Sequence, residues 1–223
     1  MEKIIRKHGY EGLLVVIEGT DGSGKSTQIE LLKRSIENQS YGVMVSEWKT
    51  SKLIADVIDD AKDRNLLNAT TFSLIYAADF ADRLENQIIP ALKAGFIVLL
   101  DRYTYTAFTR DVVRGQDIDW VKKLYDYAPE PDLVFYLDMP VDVLLKRIIG
   151  TTGLNFYESG RDMGFSTDFY KSFGIYQNKC LVQYNKMAEE YGFITIDGTK
   201  SIDEIHKVMQ SEVQKILDLG ILY

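Results

Sequence analysis

Residues 18–27 read EGTDGSGKST, and no other stretch limits so strongly what the chain can become. Gly19, Gly24, Lys25 and Ser26 satisfy G-x-x-x-x-G-K-[ST]. The apolar run LLVVIE (13–18) before them reads as a buried strand, and a helical pattern over 25–38 follows. Strand, glycine loop and helix in that order make an anion cradle: the glycines let successive backbone N–H groups point into one concavity, and the helix N-terminus adds partial positive charge. Gly22, Ser23 and Thr27 complete the loop. Lys25 is placed to reach the outer phosphates of ATP or GTP, and the Ser26 hydroxyl to hold Mg2+. The motif says where a phosphate comes from and leaves open where it goes.

The rest of the chain alternates apolar runs with helical patterns, which is how a parallel sheet covered by helices reads in sequence. Further strands are expected over 43–47 (VMVSE), 96–101 (FIVLLD), 133–138 (LVFYLD) and 193–197 (FITID). The runs close on Asp or Glu, which puts carboxylates along the C-terminal edge of the sheet, where open α/β folds bind ligands. Residues 70–93 carry Phe72, Tyr76, Phe80, Leu84 and Ile88 at four-residue spacing, with Pro90 expected to kink the helix. A second long stripe runs over 168–191, with Ser166, Thr167 or Asp168 as its cap and Gly192 as its stop. Between it and a helix over 140–149 lies GTTGLNFYESGRDMG (150–164), which has no period and reads as a mobile segment.

Nothing divides the 223 residues: with no repeat or linker, one α/β domain is expected, preceded by a ten-residue surface arm, MEKIIRKHGY. No apolar run approaches the roughly 18 residues a membrane span needs, and the N-terminus lacks a signal-peptide centre, so the cytoplasm is the expected location. A net charge of −7 without a basic block argues against a nucleic-acid polymer as partner. The single cysteine, Cys180, excludes an internal disulfide and reads as a core residue. A guanine-type Asn/Thr-Lys-x-Asp signature is missing where the later strands end in LDMPVD and IDGTKS, which leaves a small-molecule kinase ahead of a GTPase switch.

Four blocks, IEGTDGSGKST, IIPALKAGFIVLLDRYTYT, PDLVFYLDMPVDVLLKRI and FITIDGTKSIDEI, span nearly the whole chain in this order. Together they resemble the thymidylate kinase family of P-loop nucleoside monophosphate kinases. The resemblance implies a P-loop NTPase fold with a five-stranded parallel sheet flanked by helices, a short lid at about 150–165, and a homodimer. It further implies Mg2+-dependent transfer from ATP to a nucleoside monophosphate, with dTMP to dTDP the leading reaction. Carried over residue by residue, it makes Arg102 the grip on the acceptor phosphate and Asp101 an organiser of the metal. Asp21 becomes a carboxylate on the acceptor side, Arg147 an ATP contact at the start of the lid, and 198–200 a loop near adenine. Tyr76 stacks on the acceptor base and Thr106 supplies a small hydroxyl. Family members place a further Arg in the P-loop or the lid; this P-loop has none, so Arg161, the one cation of 150–164, is expected to close over the transferring phosphate.

The departures lie on the acceptor side. Phe80, carried over as an acceptor-site residue, stands where the family has an Arg that hydrogen-bonds thymine; its place on the 72, 76, 80, 84 stripe allows a core role instead, with Arg83 as a candidate reader of the base. Ala107 lacks a polar group that some members use, and Arg110 stands where an aromatic ring in some members excludes ribose. Ser46-Glu47-Trp48-Lys49 replaces Arg-Glu-Pro-Gly and keeps the Glu. ATP use is therefore expected to be retained and acceptor choice to have drifted. Two alternatives follow from the same residues: a deoxynucleoside kinase with Glu47 as the base at a sugar hydroxyl, and a nucleotide-binding regulatory protein without transfer activity.

Overall fold

A computed structural model describes residues 8–149 and 156–219 of the chain. Residues 1–7 of the expected arm and 150–155 of the expected lid lie outside the described residues. The described part of the arm is tied down at His8, whose Nε2 lies 2.9 Å from Asp132 Oδ2.

The strands are β1 (Leu13–Gly19), β2 (Val43–Glu47), β3 (Ile97–Asp101), β4 (Leu133–Asp138) and β5 (Ile194–Asp197). The longer helices are α1 (Lys25–Glu37), α2 (Ala55–Asp63), α3 (Ala69–Arg83), α4 (Ile89–Lys93), α5 (Thr104–Val113), α6 (Ile118–Leu124), α7 (Val141–Ile149), α8 (Phe169–Tyr191) and α9 (Ile202–Asp218). The strands form one parallel five-stranded sheet in the order β2-β3-β1-β4-β5.

β1 is buried along its whole length, which is why it reads as a continuous apolar run instead of an alternating one. Its odd positions, Leu13, Val15 and Ile17, pack with Ile29 and Leu32 of α1 and Met209 and Val213 of α9. Its even positions, Leu14 and Val16, face the opposite layer, with Phe80 of α3, Phe108 of α5 and Tyr184 of α8. Glu18 continues the even positions and is fully buried, so a carboxyl enters the layer that also carries α3, α5 and α8.

The kink expected at Pro90 appears as a wider turn upstream: residues Leu84–Ile88 form a π-helical segment between α3 and α4. Pro90 has no N–H to give and its ring crowds the preceding turn, and a π turn relieves both. α8 starts on Asp168, whose carboxylate accepts from Lys171 N, and stops at Gly192 in the left-handed region. α9 opens on a capping box between Ser201 and Glu204. The strand register sets Glu47 beside Asp101, and Asp101 beside Ile17, so the glycine loop after β1 and the residues after β2 and β3 open onto one edge of the sheet.

Candidate active site

The glycine loop folds as its sequence demands. Gly19 (φ +147°) has no room for a side chain: a Cβ there would lie 2.8 Å from Ser23 Oγ and 2.9 Å from the Leu137 carbonyl oxygen. Gly24 (φ +98°) is the N-cap of α1, in a backbone conformation that only glycine adopts easily. The first-turn amides of α1, which have no intrahelical acceptor, therefore stand free to meet an anion. Lys25 is 7 % exposed; its Nζ donates to the Thr20 carbonyl at 3.0 Å and lies 4.0 Å from Asp101 Oδ1. Burial, with Arg102 adding to it, pulls the Lys25 pKa down to about 8. Ser26 Oγ donates to Asp101 Oδ2 at 3.1 Å, pairing two hard oxygen ligands at the mouth of the cradle. That pair fits Mg2+, which keeps most of its shell as water and phosphate oxygen and needs few protein ligands.

Arg102 follows directly on β3, with φ +74°. An arginine in the left-handed region carries about 1–3 kcal/mol of strain, which surrounding contacts must hold. They do: Nη1 donates to the Gly19 carbonyl at 2.8 Å and to the hydroxyls of Thr106 and Tyr184, both at 3.2 Å, while Nη2 donates to Asp21 Oδ1. Arg110, one face along α5, donates to both Asp21 oxygens, at 2.9 and 2.7 Å. Burial alone would raise the Asp21 pKa, but Arg110, Arg102 and Lys25 together hold it far below the usual carboxylate range. Beneath this pair, Glu18 accepts from Tyr103 N (2.7 Å), Thr106 N (3.2 Å), Thr106 Oγ1 (2.7 Å) and Tyr184 OH (3.0 Å). Burial pushes its carboxyl up, against the pull of Arg102. Glu18 thus fixes the start of α5 and, through Thr106, the arginine.

Two adjoining hollows share Trp48, Tyr76, Arg102 and Arg110. The outer one opens on the cradle residues Asp21, Gly22, Lys25, Ser26 and Asp101. Glu47, Lys49 and Lys62 line its other side. The inner one is narrow and is walled by the rings of Trp48, Phe72 and Tyr76 against Thr106, Ala107 and Asp111 of α5. Tyr76, Arg102, Thr106 and Arg110 thus line one hollow, and Glu47 lines the cleft that opens on it.

Phe80 does not line either hollow: of its two expected places, the acceptor site and the core, the structure corrects the first and shows the second. The side chain is fully buried, edge-on to Tyr103 and Tyr125 (5.2 and 5.3 Å), and stacks on the back of Trp48 at 5.9 Å. The four-residue spacing placed it on the inner side of α3 because that is core. Arg83 is equally withdrawn: 1 % exposed, it donates to Asp79 Oδ2 and Ser46 Oγ, at 3.0 and 3.1 Å, and lies 5.6 Å from the Trp48 ring. Asp79 also accepts from Lys49 N and Ser51 N, both at 3.0 Å. The ion pair therefore fastens the loop after β2 and sets Trp48 as the inner wall. Trp48, Glu18 and Asp111 were missed by motif reasoning; the substitution of Trp-Lys for Pro-Gly after Glu47 was the visible signal for the first.

On the donor side, Arg147 Nη1 donates to the Gly22 carbonyl at 3.2 Å, so α7 touches the cradle. Arg161 lies on the surface with its guanidinium 5.9 Å from the Phe156 ring and lines neither hollow. The cation that binds the lid side to the body is Arg114, which donates to Asp162 Oδ2 (2.7 Å), Tyr176 OH (2.7 Å) and the Tyr157 carbonyl (2.9 Å).

Comparison with known proteins agrees with this geometry. The profile described as "Thymidylate kinase" matches residues 17–209, which runs from the end of β1 into α9. A "Probable thymidylate kinase 2" of Saccharolobus solfataricus is 44% identical over 208 residues, covering 92% of this chain and 95% of the relative. A "Probable thymidylate kinase" of Pyrococcus horikoshii is 34% identical, covering 87% and 92%, and a "Thymidylate kinase" of Halothermothrix orenii is 31% identical, covering 92% and 98%. A family model matched over residues 17–209, with a relative 44% identical across 92% of the chain, makes this protein a member of the thymidylate kinase family.

Proposed function

We propose that the protein transfers the terminal phosphoryl group of ATP to a nucleoside monophosphate, converting dTMP to dTDP. The observation that carries this reading is the position of Arg102. Its guanidinium bonds the Gly19 carbonyl and the Asp21 carboxylate, so it stands between the phosphate cradle and the aromatic hollow. Phosphoryl transfer asks for positioning and neutralised charge more than covalent chemistry. Lys25 and the loop amides hold the donor's outer phosphates, while Ser26 and Asp101 would hold Mg2+, which when bound neutralises charge on the phosphate oxygens. Arg102 clamps the acceptor phosphate, with Asp21 and Arg110 fixing its direction beforehand. Thr106 sits beside the acceptor, Tyr76 and Trp48 flank its base, and Arg147 and Arg161 belong to the lid that excludes water. The names of the relatives support dTMP as acceptor. The working particle on this reading is a cytoplasmic homodimer whose partners are small nucleotides.

The test is direct: purified protein, ATP, Mg2+ and dTMP should yield dTDP and ADP at an enzymatic rate. Thymidine offered in place of dTMP should not be phosphorylated. Tight ATP binding without turnover of dTMP would refute the reading.

A further inference from the structure

Lys62 stands in the last turn of α2 and lines the outer hollow across from the cradle residues. Ile58, one turn earlier, is fully buried against Leu67, Phe72, Tyr76 and Tyr157. Residues four apart share a helix face, so the face that anchors α2 also carries Lys62 to the hollow. A lysine in the last turn of a helix suits the dipole too, but an exposed side chain does that equally well, and Lys62 is half-buried. The other cations of the hollow are engaged: Lys25 with the Thr20 carbonyl, Lys49 with Asp59, and Arg102 and Arg110 with Asp21. Burial lowers the Lys62 pKa; Glu158 opposes the fall, while Arg110 and Lys49 add to it. Three cationic side chains therefore converge on one half-enclosed space, an arrangement that costs free energy until an anion enters it. Arg161, the cation expected to close over the phosphate, lines neither hollow.

We propose that Lys62 is a further catalytic residue, whose ammonium group binds the acceptor phosphate from the α2 wall of the outer hollow while Arg102 grips it from the β3 side. The inference rests on the reading of the protein as a nucleoside monophosphate kinase. Trp48, Tyr76, Arg102 and Arg110 belong to both hollows, so an acceptor with its base among the inner rings puts its phosphate in the outer one, between Arg102 and α2. The acceptor phosphate and the terminal phosphate of the donor repel each other as they are brought into line. Lys62 offsets that repulsion, and the half-enclosed site makes its charge count for more than it would in water. It stays protonated throughout, since the bound phosphate favours its charged form, and it makes or breaks no covalent bond.

The experiment compares Lys62→Met and Lys62→Arg with the native protein at saturating ATP and Mg2+. With dTMP, kcat/KM should fall at least about tenfold in Lys62→Met, the loss of a hydrogen bond to a charged group, while Lys62→Arg, which keeps the charge, should lose less. Thymidine carries the same base and sugar without the phosphate, so its inhibition constant against dTMP should be the same in all three proteins. A merely structural role would weaken thymidine and dTMP together; that outcome, an unchanged kcat/KM in Lys62→Met, or an equal loss in both variants overturns the inference. In case the variants do not fold, the native protein is treated with a limiting amount of an acetylating reagent and the modification of Lys62 is followed by mass spectrometry. Bound dTMP should slow it and bound thymidine should not, and equal rates with the two overturn the inference. Failure of the native protein to phosphorylate any nucleoside monophosphate would sink the kinase reading and this inference with it, whereas native-like turnover by Lys62→Met sinks the role of Lys62 alone.

Discussion

Lys25 is a cation held where charge is disfavoured. Burial and Arg102 lower its pKa from 10.5 to about 8, so its contribution to stability is present above the unfolded value and is lost as pH falls through about 8. Bound phosphate reverses the preference and draws a proton back. ATP affinity should therefore be level below pH 8 and weaken by up to about tenfold per unit above it, with proton uptake visible by calorimetry in buffers of different ionisation heat. Lys25→Met should remove both effects. Asp111 has the complementary sign: its pKa rises from 3.8 to about 6, so its contribution is present below the unfolded value and is lost as pH rises through about 6. Asp111→Asn should leave unfolding free energy unchanged at pH 4 and raise it at pH 8, by at most roughly 3 kcal/mol. Lys25, Ser26, Asp101 and Arg102 could be found from sequence because motifs fix both their identity and their place. Glu18 and Asp111 could not, since what makes them chemically unusual is the burial that distant chain segments create around them.

The loop between β2 and α2 depends on one ion pair. Asp79 accepts from Lys49 N and Ser51 N while binding Arg83, and Lys49 has φ +65°. Asp79→Ala would leave a guanidinium that is 1 % exposed without its counter-charge. Loss of about 3–5 kcal/mol in urea unfolding is expected, together with a raised KM for the acceptor and an unaltered affinity for ATP. An equal loss on both substrates would contradict the role given to the loop. No turn signal marks Ser46-Glu47-Trp48-Lys49, so its shape was not legible in the sequence. The strands were, to within a residue or so, because a fully buried parallel strand must be a continuous apolar run. The long helices were legible from their stripes, but the π segment before α4 was not, because Pro90 marks a fault without saying how the upstream turns absorb it. At Phe80 the stripe was the better guide and the family alignment the poorer one: a four-residue period reports what faces inward, and the hollow lies beyond that surface.

Strand order brings distant parts of the chain together. β1 lies between β3 and β4, so Asp21, Arg102 and Arg147 meet around one loop although they are far apart in sequence. Spacing alone does not reveal that order; family resemblance does, through the blocks that end β1, β3 and β4. The homodimer should appear in sedimentation at micromolar protein, and a monomer that still turns over dTMP would contradict it. The central claim is that one guanidinium joins a donor cradle to an acceptor hollow, and Arg102→Ala tests it most directly. With dTMP as acceptor, kcat/KM should fall at least about 100-fold while ATP affinity, measured on the same samples, stays at the native value. Native-like turnover by the variant would contradict the account.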